Sequence, residues 1–456
     1  MPLPTVAQVY ETTQSLSKHL TRMRPRRFTR GPGAASVVIP VIDSLTYQRM
    51  TGFGASMTDS SAWLLHNQLT PQAGLKTMRA LFSPAGIHLN FVRIPMGATD
   101  FTALGAPYSY DDLAPGQTDP GLRQFSITHD QAYILPALRE MRLMNPTVST
   151  LASPWSPPPW MKANDAFNNE FLAGTVLPRD YGALAHYFVK FIRAYTHQGV
   201  SIDAVTPMNE PRSLSPWPGA AFLPADSAPW TTRFLVPALR AAHLHTKIFG
   251  LDDTSLADAE LLLRSTARAA LAGLAFHCYQ GLGSMSALHA AYPNENLIVS
   301  ECSPGIIPYA PAEAAIDATR NWASAVQLWN LALDPAGGPV QAPNHGCRGC
   351  RGLVTVSETT HTARYGRSYY QLGQLSKFVA PGAVRIASAR PVQDFAPPLR
   401  GVTSGLDDVA FLNPDGTKVL VAYNHSSARI SFALEYRHRF LSWSLPPAAT
   451  VTFVWH

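Results

Sequence analysis

Two hydrophobic periods alternate along the middle of this chain. Short apolar runs that read as buried strands recur at His88 to Pro95, Val148 to Ser153, Ile202 to Thr206, Lys247 to Leu251, Leu274 to Tyr279, Leu297 to Ser300 and Val326 to Leu331. Gly52 to Gly54 marks the end of an earlier strand. Between these runs, apolar residues recur at three and four, as in Gln131 to Met144 and Tyr181 to His197, which predicts helices. Pro178-Arg179-Asp180 gives the second of these an N-terminal signal. Strands and helices in alternation predict a (β/α)8 barrel over residues 46–382.

The chain ends follow a different rhythm. Val409 to Leu412 and Thr417 to Tyr423 flank Asn413-Pro414-Asp415-Gly416, a hairpin signal because Asp-Gly supplies the positive φ of a tight reversal. Ile430 to Leu434 and Val451 to Val454 follow, so residues 383–456 predict an antiparallel β-sandwich. Residues 1–45 also carry strand patches, such as Ser36 to Ile42.

Composition changes this picture little. The 456 residues, 46% apolar and 14% charged, describe a folded globular chain with room for a barrel and one smaller domain. The net charge of +6 owes part of its excess to Arg22, Arg24, Arg26, Arg27 and Arg30. No recognition motif accompanies these arginines, so nucleic acid is not expected as a partner, and a solvated basic face is the default. No apolar run reaches the roughly 20 residues of a membrane span, and Met1-Pro2-Leu3-Pro4 does not open a signal peptide. The fifteen histidines show no H-E-x-x-H spacing and there is no glycine-rich phosphate loop, so neither a metal nor a cofactor is expected. Cys347 and Cys350 form a C-x-x-C that reads either as a loop-closing disulfide or as a pair of free thiols. Cys278 and Cys302, in apolar strand contexts, read as buried core thiols.

Candidate chemistry lies where strands run out. In Val205-Thr206-Pro207-Met208-Asn209-Glu210-Pro211, the prolines stop regular pairing and leave Glu210 at a strand end. Ile298-Val299-Ser300-Glu301-Cys302 repeats the arrangement with Glu301. Two carboxylates facing one cleft suit glycoside hydrolysis, one as general acid and the other as nucleophile or base. Arg93, in an apolar strand, needs a carboxylate partner, either in a site or in a structural ion pair. Asn209 reads as a turn residue or as a partner for a sugar 2-hydroxyl. His277 and Tyr279 at another strand end are placed to bond a carboxylate.

These and several other motifs resemble glycoside hydrolase family 30, which includes glucosylceramidases. The likeness runs from about Tyr47 to about Ser388 through Gly52 to Asp59, Arg93-Ile94-Pro95-Met96, Ala152 to Pro158 with Trp160-Met161-Lys162, and Thr206 to Pro211. It continues through His277-Cys278-Tyr279, Ser300-Glu301, and Trp329 to Pro335 with Gly337-Gly338-Pro339. The resemblance implies a retaining mechanism with Glu210 as acid/base and Glu301 as nucleophile, and places Arg93 beside that nucleophile. It matches Asp100, Trp155, Trp329 and Asn344 to positions that bind the non-reducing sugar, although both tryptophans read equally as core. It also implies that the N-terminal strands join the sandwich, and that the protein is exported.

The expected function is therefore a retaining β-glycosidase acting on a β-linked glycoside or oligosaccharide, foremost a β-glucosidase of glucosylceramidase type. A β-1,6-glucanase, a β-xylosidase and a non-catalytic carbohydrate-binding protein are the alternatives. The C-x-x-C segment is foreign to the lysosomal branch of the family, which weighs against a ceramide aglycone. Oligomeric state is left open.

Overall fold

The computed structural model describes residues 5–342, 346–388 and 405–456. Eight parallel strands close into a barrel: β1 (Gly52–Ser56), β2 (Phe91–Pro95), β3 (Ser149–Ser153), β4 (Ala204–Val205), β5 (Lys247–Asp253), β6 (Gly273–His277), β7 (Leu297–Glu301) and β8 (Ala323–Leu328). The strand expected to end at Gly52 to Gly54 in fact begins there. Gly54 is required by closure, because a Cβ at this position would sit 1.5 Å from the Phe91 carbonyl oxygen. The last strand lies three residues before its expected position, since Trp329 and Asn330 leave the sheet and turn over the barrel mouth.

Strand alternation then sorts the barrel interior into layers. Phe91, Leu151, Ala204, Phe249, Ala275, Ile298 and Ala325, one from each of seven strands, fill the lower interior with apolar side chains. Two residues further along their strands come Arg93, Ser153, Thr206, His277, Ser300 and Gln327, all buried and all polar. The polar layer faces the carboxyl ends of the strands, where a barrel builds its sites.

A ten-stranded sheet brings both chain ends together. The strand Val6–Thr12 pairs with Thr450–Trp455. The long strand Val37–Arg49 pairs antiparallel with Val384–Ala387 near its end and parallel with Ile430–Tyr436 near its start, which folds the sheet over into a sandwich. That parallel pair departs from the antiparallel expectation. Ala7, Ile39, Leu420, Phe432, Trp443 and Phe453 are among the residues of the sandwich's own core. Arg439–Leu445, whose apolar residues alternate, adds a strand that the sequence reading passed over.

Candidate active site

At the carboxyl end of the barrel, Glu210 follows β4 and Glu301 closes β7, and both line a cavity of about 410 Å³. Glu210 has φ +40°, a strained value for a non-glycine residue, and its N–H donates to the Asp252 carbonyl at 3.0 Å, which fixes the turn. Oxygens of the two carboxylates come within 4.8 Å of each other. Such an approach accords with the roughly 5 to 5.5 Å separation of retaining glycosidases rather than the roughly 6.5 to 9.5 Å of inverting ones.

Arg93 organises the floor of the site. Its Nη1 donates to Glu301 Oε2 at 2.5 Å, Nη2 to Asn209 Oδ1 at 2.7 Å and to Asp252 Oδ2 at 2.6 Å, and Nε to Ser153 Oγ at 3.2 Å. The second oxygen of Glu301 accepts from Tyr279 Oη at 2.7 Å, so the carboxylate is held at both ends. Asn209 also lines the cavity, so its side chain is placed near a bound sugar.

His277 bridges the pair, with Nδ1 2.9 Å from Glu210 Oε1 and Nε2 3.3 Å from Asp252 Oδ1. Its contact with the carboxylate pair is therefore a hydrogen bond to Glu210, with Glu301 Oε1 further off at 3.8 Å. Burial opposes a charge on this ring, yet Glu301, Asp252 and Glu210 outweigh it and raise the imidazole to about 10. A protonated His277 donates from both nitrogens, so Glu210, His277 and Glu301, although close enough to share an ion, present a cation where a metal would sit.

Asp252 is the residue that sequence reasoning missed. It lies in a bulge where β5 slips register against β6, at φ +57°, and its side chain turns inward. Besides Arg93 and His277 it accepts from Thr206 Oγ1 at 2.6 Å and Ser300 Oγ at 2.7 Å. Burial would lift its carboxyl, but Arg93 and His277, aided by Thr206, hold it well below the usual carboxylate range. The available signal was its position in Leu251-Asp252-Asp253, a carboxylate at a strand end like the other two.

Asp100 is buried at the cavity wall, where Cys347 N donates to its Oδ2 at 3.3 Å. Burial, with Glu301 and Glu210 adding to it, pushes its carboxyl well above the usual range. Trp155 and Trp329 stack on each other at 5.0 Å, and the Arg93 guanidinium lies 4.6 Å from the centre of Trp155. They are thus core and cavity lining at once. Asn344 lies outside the described residues.

The cysteines correct one expectation. Cys278 and Cys302 are not buried thiols but a disulfide, joining the residues that directly follow His277 and Glu301. Apolar strand contexts concealed the pairing because neighbouring parallel strands bring their ends together only in three dimensions. Cys347 and Cys350 form a second disulfide on the cavity rim, where Ser303 Oγ donates to Cys350 Sγ at 2.7 Å. Two larger hollows, of about 550 and 560 Å³, lie at the opposite end of the barrel and bring no such carboxylate pair together.

A closed parallel barrel with two carboxylates meeting at its carboxyl face defines a glycoside hydrolase. The chain belongs to glycosyl hydrolase family 30: that family's TIM-barrel domain matches residues 50–379 and its beta sandwich domain residues 382–453. It is accordingly a retaining O-glycosyl hydrolase, working by double displacement through a glycosyl-enzyme intermediate. It is 32% identical over 448 residues to an endo-1,6-beta-D-glucanase of Neurospora crassa, covering 93% of this chain and 92% of that one. The mouse lysosomal acid glucosylceramidase is 27% identical over 492 residues, covering 97% and 89%. Among solved structures, the endo-beta1,6-glucanase BT3312 superposes with a TM-score of 0.85 at 28% identity, over 99% of each chain.

Proposed function

We propose that this protein is an endo-β-1,6-glucanase in which Glu301 is the nucleophile and Glu210 the acid/base. The observation that carries the substrate is the near full-length similarity to the Neurospora crassa endo-1,6-beta-D-glucanase, supported by the likeness to a second glucanase of that linkage. This favours the alternative over the β-glucosidase first expected, and leaves the glucosylceramidase reading with the more distant mouse relative.

The geometry supports these roles. Glu301, gripped by Arg93 and Tyr279, points one oxygen at the anomeric carbon and forms the glycosyl-enzyme bond as the leaving oxygen takes a proton from Glu210. Glu210, more open to solvent, then removes a proton from the water that releases the sugar, and returns to its starting form. His277, hydrogen-bonded to Glu210, keeps the acid/base aimed through both steps. Two disulfides favour an oxidising compartment, which supports action outside the reducing cytoplasm.

The test is hydrolysis of a panel holding β-1,6-glucan, an aryl β-D-glucoside and an aryl β-D-xyloside. Rapid cleavage of the polymer to short oligosaccharides is expected. Release from the aryl glucoside alone would restore the β-glucosidase reading, and sugar binding without turnover of any β-glycoside would make the protein a binding module. Azide rescue assigns the roles: with an aryl β-glucoside, Glu301→Ala should yield the α-glycosyl azide and Glu210→Ala the β-anomer.

A further inference from the structure

A second convergence of ligand-type side chains lies where barrel and sandwich meet. Glu313 comes from the first turn of the helix Pro311–Arg320, Asp407 from the sandwich strand Leu406–Leu412, and His425 directly follows the strand Lys418–Asn424. One ligand atom from each lies within 4.8 Å of the others. Asp407 is 1% exposed and Glu313 8%, whereas the His425 side chain keeps 25% of its surface in solvent.

We infer that Glu313, Asp407 and His425 form a binding site for a zinc-class divalent cation that ties the barrel to the sandwich. Asp407 Oδ2 is 2.8 Å from His425 Nδ1, but its other oxygen, Oδ1, is buried with no hydrogen-bond partner among the described residues. A buried carboxylate oxygen costs free energy when it is left unpaired, and a cation satisfies it. Glu313 caps its own helix with one oxygen, accepting from Ala310 N at 3.2 Å, and so has a second oxygen to give. Two carboxylates and one imidazole suit zinc better than calcium or magnesium, which take all-oxygen sets. Binding through Nδ1 moves the imidazole proton to Nε2, on the side that solvent reaches, and the exposed edge of His425 leaves room for a water as fourth ligand. The residues come from two chain segments that pack only in the folded protein, so the ion would stabilise that junction without touching the catalytic pair.

The experiment uses the full chain stripped with EDTA and dialysed against zinc chloride, with bound metal counted by elemental analysis and the melting temperature followed in parallel. One zinc per chain is expected, with a rise in melting temperature of about 2 °C or more. His425→Gln, at a partly exposed position, and Asp407→Asn should each weaken binding at least about tenfold. Glu301→Gln should leave it unchanged, which separates this cluster from the catalytic carboxylates. Zinc that stays bound to folded His425→Gln, or that is lost from Glu301→Gln instead, overturns the inference. So does a melting temperature that responds to pH and not to zinc, since a proton would then be what Asp407 and Glu313 share.

Discussion

Replacing Asp252 by asparagine tests the reading of the site at its least visible member. The substitution keeps size and shape but exchanges a carboxylate for one acceptor and one amide donor. Asp252 now serves four donors: Arg93 Nη2 and Thr206 Oγ1 on one oxygen, His277 Nε2 and Ser300 Oγ on the other. With the asparagine oxygen turned to Arg93, its NH2 faces His277, whose Nε2 must give up its proton. The imidazole, held at about 10 in the native site, should then titrate lower, although Glu301 and Glu210 still raise it. Breaking a buried ion pair costs about 3 to 5 kcal/mol of stability. Because the Asp252 carboxyl is depressed, its stabilisation is present above the unfolded value near pH ~4 and is lost only as pH falls through the folded one. The deficit of the variant should therefore be full at neutral pH. His277 has the opposite sign: its contribution is complete below pH ~6.5 and lost as pH rises through about 10. Loss of one preorganised partner should lower kcat roughly 10²- to 10³-fold. The alkaline limb of the pH profile of kcat should move to lower pH than in the native enzyme. A variant with kcat within threefold of native from acid to alkaline pH, and an unchanged melting temperature, would refute the claim that Asp252 holds His277 and Arg93 in place.

Three further outcomes follow from the same contacts. Tyr279→Phe removes the 2.7 Å bond to Glu301 and should lower kcat about 10- to 100-fold with the melting temperature nearly unchanged, read by steady-state kinetics beside calorimetry. Replacing Cys278 and Cys302 together by alanine opens a loop whose ends are 24 residues apart and should cost about 3 kcal/mol, measured by denaturant titration. Lys162→Met strips an ammonium held by Ser156 Oγ and by the carbonyls of Ala166, Phe167, Asn168 and Gly219 at 2.6 to 3.0 Å. It should destabilise the fold by several kcal/mol and loosen the segment that carries Trp217 to the cavity, raising KM more than it lowers kcat.

Legibility in the sequence followed the reach of local rules. The helix Tyr181–His197 was readable to the residue because a full amphipathic stretch and its N-terminal signal agree. Glu301 was readable because it ends an apolar run and Glu210 because prolines stop the strand before it, and a strand end is a place that a linear pattern can mark. Hidden features depended instead on contacts between runs. The Cys278–Cys302 bridge is fixed by two neighbouring strands ending at one level, and the parallel pairing of Ile430–Tyr436 with Val37–Arg49 joins opposite ends of the chain. Asp252 fell between these cases, since its strand was visible but the bulge that turns its side chain inward is not written in hydrophobic periodicity.

That bulge explains why one arginine can serve the whole site. Regular alternation along β5 would put Leu251 on the inner face and leave the layer above the apolar filling with Arg93 and His277 but no anion of its own. Both cations would then fall on Glu301 and Glu210 alone. With Asp252 turned inward, one buried carboxylate engages both cations, so Arg93 can hold Glu301 through Nη1 while Nη2 is anchored elsewhere. Glu301 is thus aimed without having to neutralise its surroundings, and in the proposed mechanism a developing positive charge on the sugar meets a carboxylate whose partners are already fixed. The strained backbone at Glu210 and Asp252, joined by the 3.0 Å bond from Glu210 N to the Asp252 carbonyl, supports that electrostatic division.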